Sequence, residues 1–163
     1  MKIKGSVFVL AVIVLSSGVL TVGNAVGDRL TAMREQNALR EELRSVIPEI
    51  GDFSVMEPTE DMPDSIKLLY VSEKGTAVRL SVTGYAAGLE LLCGVKDGRV
   101  TSVVCVSSRE TLGKEKTYGE SFSGKAYSEV KLVNTVSGAT KTTSAYKKGV
   151  LDALSAYEIV SGK

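Results

Sequence analysis

From Ser6 to Val26 the chain carries no charge, and Val7 to Leu15, Val19, Leu20, Val22, Ala25 and Val26 make most of that run apolar. About 20 such residues at ~1.5 Å each span a hydrocarbon layer of ~30 Å, where backbone groups must satisfy one another, so a single transmembrane helix is expected over residues 1–27. A cleaved signal peptide ending at Gly23-Asn24-Ala25 is the competing reading. The run exceeds the roughly 7–15 apolar residues of such a peptide, which favours an anchor. No cysteine lies in or just after it, which excludes a lipoprotein. Lys2 and Lys4 precede the run, whereas Arg29, Arg34, Arg40 and Arg44 follow it. Because long domains translocate largely regardless of charge, the remainder is expected on the extracytoplasmic side of the cell membrane.

Helical spacing continues beyond the run. Leu30, Met33, Leu39, Leu43 and Val46 recur among Arg and Glu residues, and Pro48 ends the pattern. Residues 28–48 are therefore read as an amphipathic stalk helix, with a docking helix for a partner subunit as the alternative. Gly51 to Asp64 holds Pro58, Pro63 and several acids and reads as a loop. Period-two alternation follows. Ile66–Val71 and Thr76–Thr83 predict one hairpin about Ser72–Gly75, and Leu89–Val95 and Arg99–Ser107 a second about Asp97-Gly98. A two-residue turn there places Val95 opposite Val100, Cys93 opposite Ser102 and Cys105 opposite Glu90. The cysteines would then point to opposite faces, and both are read as packing residues rather than a redox pair. Arg109 to Val133, rich in Gly, Ser, Lys and Glu, reads as loop with a short helix. Thr140–Ile159 predicts a last helix, with Tyr146, Val150, Leu154 and Tyr157 on one face and Ala153 beside them. The fold expected over residues 49–163 is α+β: a small antiparallel sheet of four strands with a packed C-terminal helix.

Composition narrows the chemistry. The 20 basic side chains nearly balance 19 acidic ones, which argues against nucleic acid as a partner. Histidine is absent, which excludes Ser-His-Asp and Cys-His catalysis and His-ligated haem, and argues against catalytic zinc. Two cysteines are too few for an iron–sulfur cluster. No catalytic or metal-ligating residue is assigned, and redox chemistry would have to come from a cofactor that needs neither ligand type.

One segment stands out. Asn134-Thr135-Val136-Ser137-Gly138-Ala139-Thr140 is a turn of small residues that opens the last helix. The first helical turn leaves backbone N–H groups without intrahelical acceptors, and with the macrodipole they favour an anion, usually phosphate. Gly138 permits close backbone approach, and Lys141, Lys147 and Lys148 would add positive charge. The plainer reading is an ordinary N-cap by Ser137 or Thr140.

Ser137-Gly138-Ala139-Thr140 before a C-terminal helix resembles the flavinylation motif of the FMN-binding domain in the short flavin-bearing subunit of Rnf-type electron transport complexes. A longer subunit of the sodium-translocating NADH:quinone reductase shares that domain. Gly84-Tyr85-Ala86-Ala87-Gly88, the Asp97-Gly98 hairpin and Arg109-Glu110-Thr111-Leu112-Gly113 follow in similar order, and the last is similar to the family's His-Glu-Thr-Pro-Gly-Leu-Gly loop. The chain departs from the family at Asn134, where Asp is usual, and at Arg109 and Leu112, where the loop has His and Pro.

The resemblance implies FMN held covalently through a phosphoester on Thr140, with Ser137, Gly138 and Ala139 shaping the loop. Glu110, Thr111, Gly113 and Tyr85 become candidates to line the isoalloxazine. A threonine hydroxyl is a weak nucleophile, and no histidine is present to activate it, so a separate flavin transferase is implied. The implied role is an electron-carrier subunit of an ion-translocating ferredoxin:NAD oxidoreductase, working among other membrane subunits rather than as a self-sufficient enzyme. A stand-alone extracytoplasmic flavoprotein and a non-redox anchored binding module are the alternatives.

Overall fold

The computed structural model describes residues 34–109 and 115–162. The expected anchor over 1–27, together with Glu110, Thr111 and Gly113, lies outside the described residues. Compact units divide after Arg40. Residues 34–44 are helical (α1), and Glu41 to Arg44 of that helix belong to the second unit. The helix ends before Pro48, in turns at 45–46 and 48–49. No helix among the described residues is long and apolar enough to cross a membrane.

The second unit is built on an antiparallel meander of five strands in the order β1-β2-β3-β4-β5. They are β1 Ser54–Met56, β2 Ile66–Ser72, β3 Gly75–Val82, β4 Leu89–Lys96 and β5 Arg99–Ser107. Four of these match the predicted hairpins. The fifth, β1, falls in the segment read as loop: only three residues long, it pairs with β2 at the sheet edge and is too short to leave an alternating signature. At the Asp97-Gly98 turn both residues have positive φ, 52° and 73°, as the tightest hairpin turn requires.

The register of that hairpin differs from the expectation beyond its first pair. Val95 does face Val100, but the ladder shifts between Gly94 and Val95, so Cys93 faces Val103 rather than Ser102. Cys105 faces Leu91 rather than Glu90. One inserted residue exchanges the two faces of a strand. The cysteines therefore share a face of the sheet, placed diagonally, and both thiols are free.

Alternation along β3 and β4 sorts the sheet into two faces. On one, Val78, Leu80, Val82, Leu89, Leu91, Cys93 and Val95 join the main core. That face receives α4, the helix Thr140–Ser161, through Tyr146, Val150, Ala153, Leu154 and Ala156. Gly149 allows the close approach: a Cβ there would meet Leu80 Cδ1 at 2.6 Å. The predicted helix and its inner face are both present, and the αL residue Gly162 closes its C-terminus.

Leu43, Val46, Ile47 and Ile50, buried from the second unit's start, cover the other face. Thr101 donates its hydroxyl proton to the Val46 carbonyl at 2.5 Å, and Arg79 pairs with Glu42. Gly94 lies beneath this segment, where a side chain would collide with Val46 and Thr101. Between β5 and α4 the chain folds into α2 (Glu115–Tyr118), a 3-10 turn (Gly119–Phe122) and α3 (Tyr127–Lys131), more helix than the single short one expected. Tyr118, Phe122 and Tyr146 meet there, Tyr118 edge-on to both partners at 5.1 and 5.5 Å, Phe122 and Tyr146 stacked at 5.8 Å.

This packing can be probed at two positions. Gly94→Ala should cost about 1–3 kcal/mol of stability through overpacking, read by urea denaturation. Burial pushes the Cys93 thiol from 9.0 up to about 12, and it raises the Tyr70 and Tyr118 hydroxyls as well. A folded-state pKa above the unfolded one means that stability is full below the unfolded value and is lost as pH rises through the folded one. The denaturation midpoint should therefore fall as pH rises above 9 toward about 12, and Cys93→Ala should flatten the first part of that fall.

Candidate functional site

The core face of α4 sets where its first turn emerges. N-terminal to the helix, Val136 to Ala139 form a tight turn closed by the Ala139 N–H to the Val136 carbonyl at 3.0 Å. Ser137 occupies its second position and Gly138, with φ 80°, its third. Negative then positive φ defines a type II turn, which calls for glycine at the third place. Nothing lies within 4 Å of where a Gly138 Cβ would be, so backbone conformation rather than space selects this glycine.

Ala139 is the N-cap and is buried, and it offers no side-chain oxygen to the helix. Neither Ser137 nor Thr140 caps the first turn, which differs from the ordinary N-cap reading. Thr140 is the first helical residue and is exposed, as are Ser137 and Gly138. Among the described residues its hydroxyl makes no hydrogen bond. The first turn holds no acidic residue. An exposed hydroxyl therefore stands beside uncapped N–H donors at the positive end of a 22-residue helix, an arrangement that suits a phosphoryl group and opposes none of its charge.

The approach to this turn is pinned from three sides. The Tyr118 hydroxyl, oriented by its aromatic neighbours, donates to the Asn134 carbonyl at 2.9 Å. Lys147 Nζ donates to the carbonyls of Lys131 and Val133, both at 3.2 Å. Thr143, buried on α4, donates its hydroxyl proton to the Ala139 carbonyl at 2.9 Å and accepts the Val136 N–H at 3.2 Å. None of these three stands out by pattern; a threonine four residues past a helix cap is the one local signal, since it can bond back to the carbonyl of residue i−4.

Two of the lysines expected to add charge at the anion site are engaged elsewhere. Lys147 closes the α3 end, and Lys148 pairs with Asp152 at 2.9 Å along the helix. Lys141 remains at the site, with Nζ 6.0 Å from the centre of the Tyr85 ring. That contact brings the 84–88 loop beside the start of α4. Tyr85 is 71% exposed and takes no part in the core. Glu110, Thr111 and Gly113 fall outside the described residues. Further along α4 an open groove of about 320 Å³ runs between Ser81, Val82 and Thr83 on one side and Ala145 and Lys148 on the other. No cluster of His, Cys, Asp and Glu suited to a metal occurs among the described residues.

Removing the glycine tests the turn. Gly138→Ala should cost about 1–2 kcal/mol in denaturant titrations because a Cβ disfavours positive φ, and Gly138→Asn should cost less.

Comparison with known proteins agrees with this geometry. A family model described as the FMN-binding domain matches residues 84–155. The matched stretch runs from the loop that carries Tyr85, through the Asp97-Gly98 hairpin and the Ser137–Thr140 turn, into the last turns of α4. The match supports an FMN-binding domain in this part of the chain, and with it a flavin-binding electron carrier. No curated protein gives a significant match.

Proposed function

We propose that the protein is a membrane-anchored, extracytoplasmic electron carrier that holds FMN by a phosphoester on Thr140, as a subunit of an Rnf-type ion-translocating ferredoxin:NAD oxidoreductase. One observation carries the covalent reading: within the matched FMN-binding stretch, the Thr140 hydroxyl is exposed and unspent at an uncapped, acid-free helix start.

Attachment would proceed by phosphoryl transfer from FAD on a dedicated flavin transferase. The Thr140 oxygen forms a bond to the phosphorus of the FMN half, and the pyrophosphate P–O bond breaks. AMP leaves with that bond's electron pair, and the hydroxyl proton passes to a base of the transferase or to solvent. This chain has no histidine with which to activate Thr140 itself. When bound, the flavin supplies one- and two-electron chemistry.

The chain's own residues would orient and retain it. First-turn N–H groups would hold the phosphate, the Val136–Ala139 turn would present the Thr140 oxygen, and Lys141 would contribute the local positive charge. Tyr85, exposed beside Lys141, offers a flat apolar surface to a planar ring. A covalent tether suits the extracytoplasmic side, where a dissociated cofactor would be lost. The uncharged run over 6–26 supports the anchor, and membrane subunits of the same complex are the partners that an anchored electron carrier would need.

Co-expression with a flavin transferase should raise the intact mass by one FMN less one water, and Thr140→Ala should abolish the gain completely. An unmodified wild type would remove the covalent reading, and a gain that survives Thr140→Ala would move the attachment elsewhere. Membrane subunits should co-purify with the detergent-solubilised full chain; isolation of the chain alone, active toward a soluble acceptor, would count against membership of a complex.

A further inference from the structure

We infer that Thr143 is the positioning residue for the Thr140 hydroxyl: its buried oxygen clips the Val136–Ala139 turn to α4 and thereby fixes where the acceptor oxygen points. The inference rests on the reading of Thr140 as the flavin acceptor. Thr143 is 1% exposed, and its hydroxyl bonds on both sides of the turn. Its proton goes to the Ala139 carbonyl at 2.9 Å, and a lone pair takes the Val136 N–H at 3.2 Å.

The first bond has a purely local explanation, because threonine in a helix often bonds back to the carbonyl four residues before it. The second does not. Val136 lies outside the helix, and its N–H would lose this partner without the hydroxyl. Val136 and Ala139 are thus joined twice, once directly by the 3.0 Å turn bond and once through Thr143. Ser137 and Gly138 between them are exposed, so the turn is held from the helix side.

Thr140 follows that doubly fixed residue immediately. In the transfer from FAD, its oxygen must reach the phosphorus from the side opposite the departing AMP. A displacement of about 1 Å can slow such a step by about a hundredfold. Without the Thr143 hydroxyl the turn keeps one clip of two and can pivot about Gly138, which moves the acceptor oxygen without unfolding the domain.

The test uses the full chain in detergent, purified flavin transferase and FAD, with incorporation followed by intact mass over time. Circular dichroism melts fix an assay temperature at which every variant is folded. Thr143→Val keeps the shape and removes the hydroxyl; its kcat should fall about tenfold or more, with KM for the acceptor protein within about twofold of wild type. Thr143→Ser restores the hydroxyl and should stay within about threefold of the wild-type rate.

A folded Thr143→Val that is modified at the wild-type rate, or that changes KM alone, overturns the inference and leaves the acceptor reading intact. Should Thr143→Val fail to fold, Thr143→Ala beside Thr143→Ser still decides, since the two differ only by the hydroxyl: a rate about tenfold lower for Thr143→Ala than for Thr143→Ser supports its role, and equal rates overturn it. A wild type that gains no mass overturns both readings together.

Discussion

The contact between α4 and the β3–β4 pair is the constraint on which the rest of the site depends. Tyr146, Val150, Ala153 and Leu154 are fully buried or nearly so, and Gly149 lets the helix axis come close to Leu80, Val82 and Leu91. Burial of apolar area at roughly 25 cal/mol per Å² makes this face the dominant contribution to holding the helix in place. With the inner face fixed, rotation of the helix about its axis is fixed too. Thr140, six residues before Tyr146, then falls on the exposed side of the first turn.

Position alone would leave a frayed helix end. The segment before α4 is tied down by three side chains from two elements, Tyr118 of α2 and Thr143 and Lys147 of α4, and each tie ends on a backbone carbonyl or N–H that would otherwise face solvent or lie unpaired. Tyr118 is the most indirect of them. Its ring belongs to the aromatic cluster with Phe122 and Tyr146, so the core that receives α4 also orients the hydroxyl that holds Asn134. Gly119, next to it, has room for no side chain against the Val103 carbonyl and the Tyr146 hydroxyl. Sheet, helix and loop therefore share a single packing solution. The chemistry available at the end of it is limited and specific: donors, a hydroxyl and a lysine, with no opposing carboxylate in the first turn.

Much of this was legible in sequence because the signals are local. Two strand pairs announced themselves by alternation at Val78, Leu80 and Val82 and by Asp97-Gly98, whose dihedral needs few other residues meet. The last helix was legible from the spacing of Tyr146, Val150 and Leu154, a period that the packed face reproduces. Other features were hidden for physical reasons. A three-residue edge strand has no period to detect, and the bulge opposite Gly94 leaves Thr101 as the extra residue, bonded to the Val46 carbonyl of a segment 55 residues away. That bulge moved Cys105 to the face that Cys93 occupies, which no reading of the turn alone could supply.

By itself, then, the order of residues determined four of the strands, the last helix and the small-residue turn that opens it, since those properties depend on neighbours within a few positions. Only the tertiary structure decided which of the lysines near that turn stay free for it, that Thr140 is exposed while Thr143 is buried, and that a tyrosine 16 residues earlier holds the loop. The reason is that orientation and partnership are set by packing between segments distant in the chain. The pattern along any one of them carries no record of what will be pressed against it.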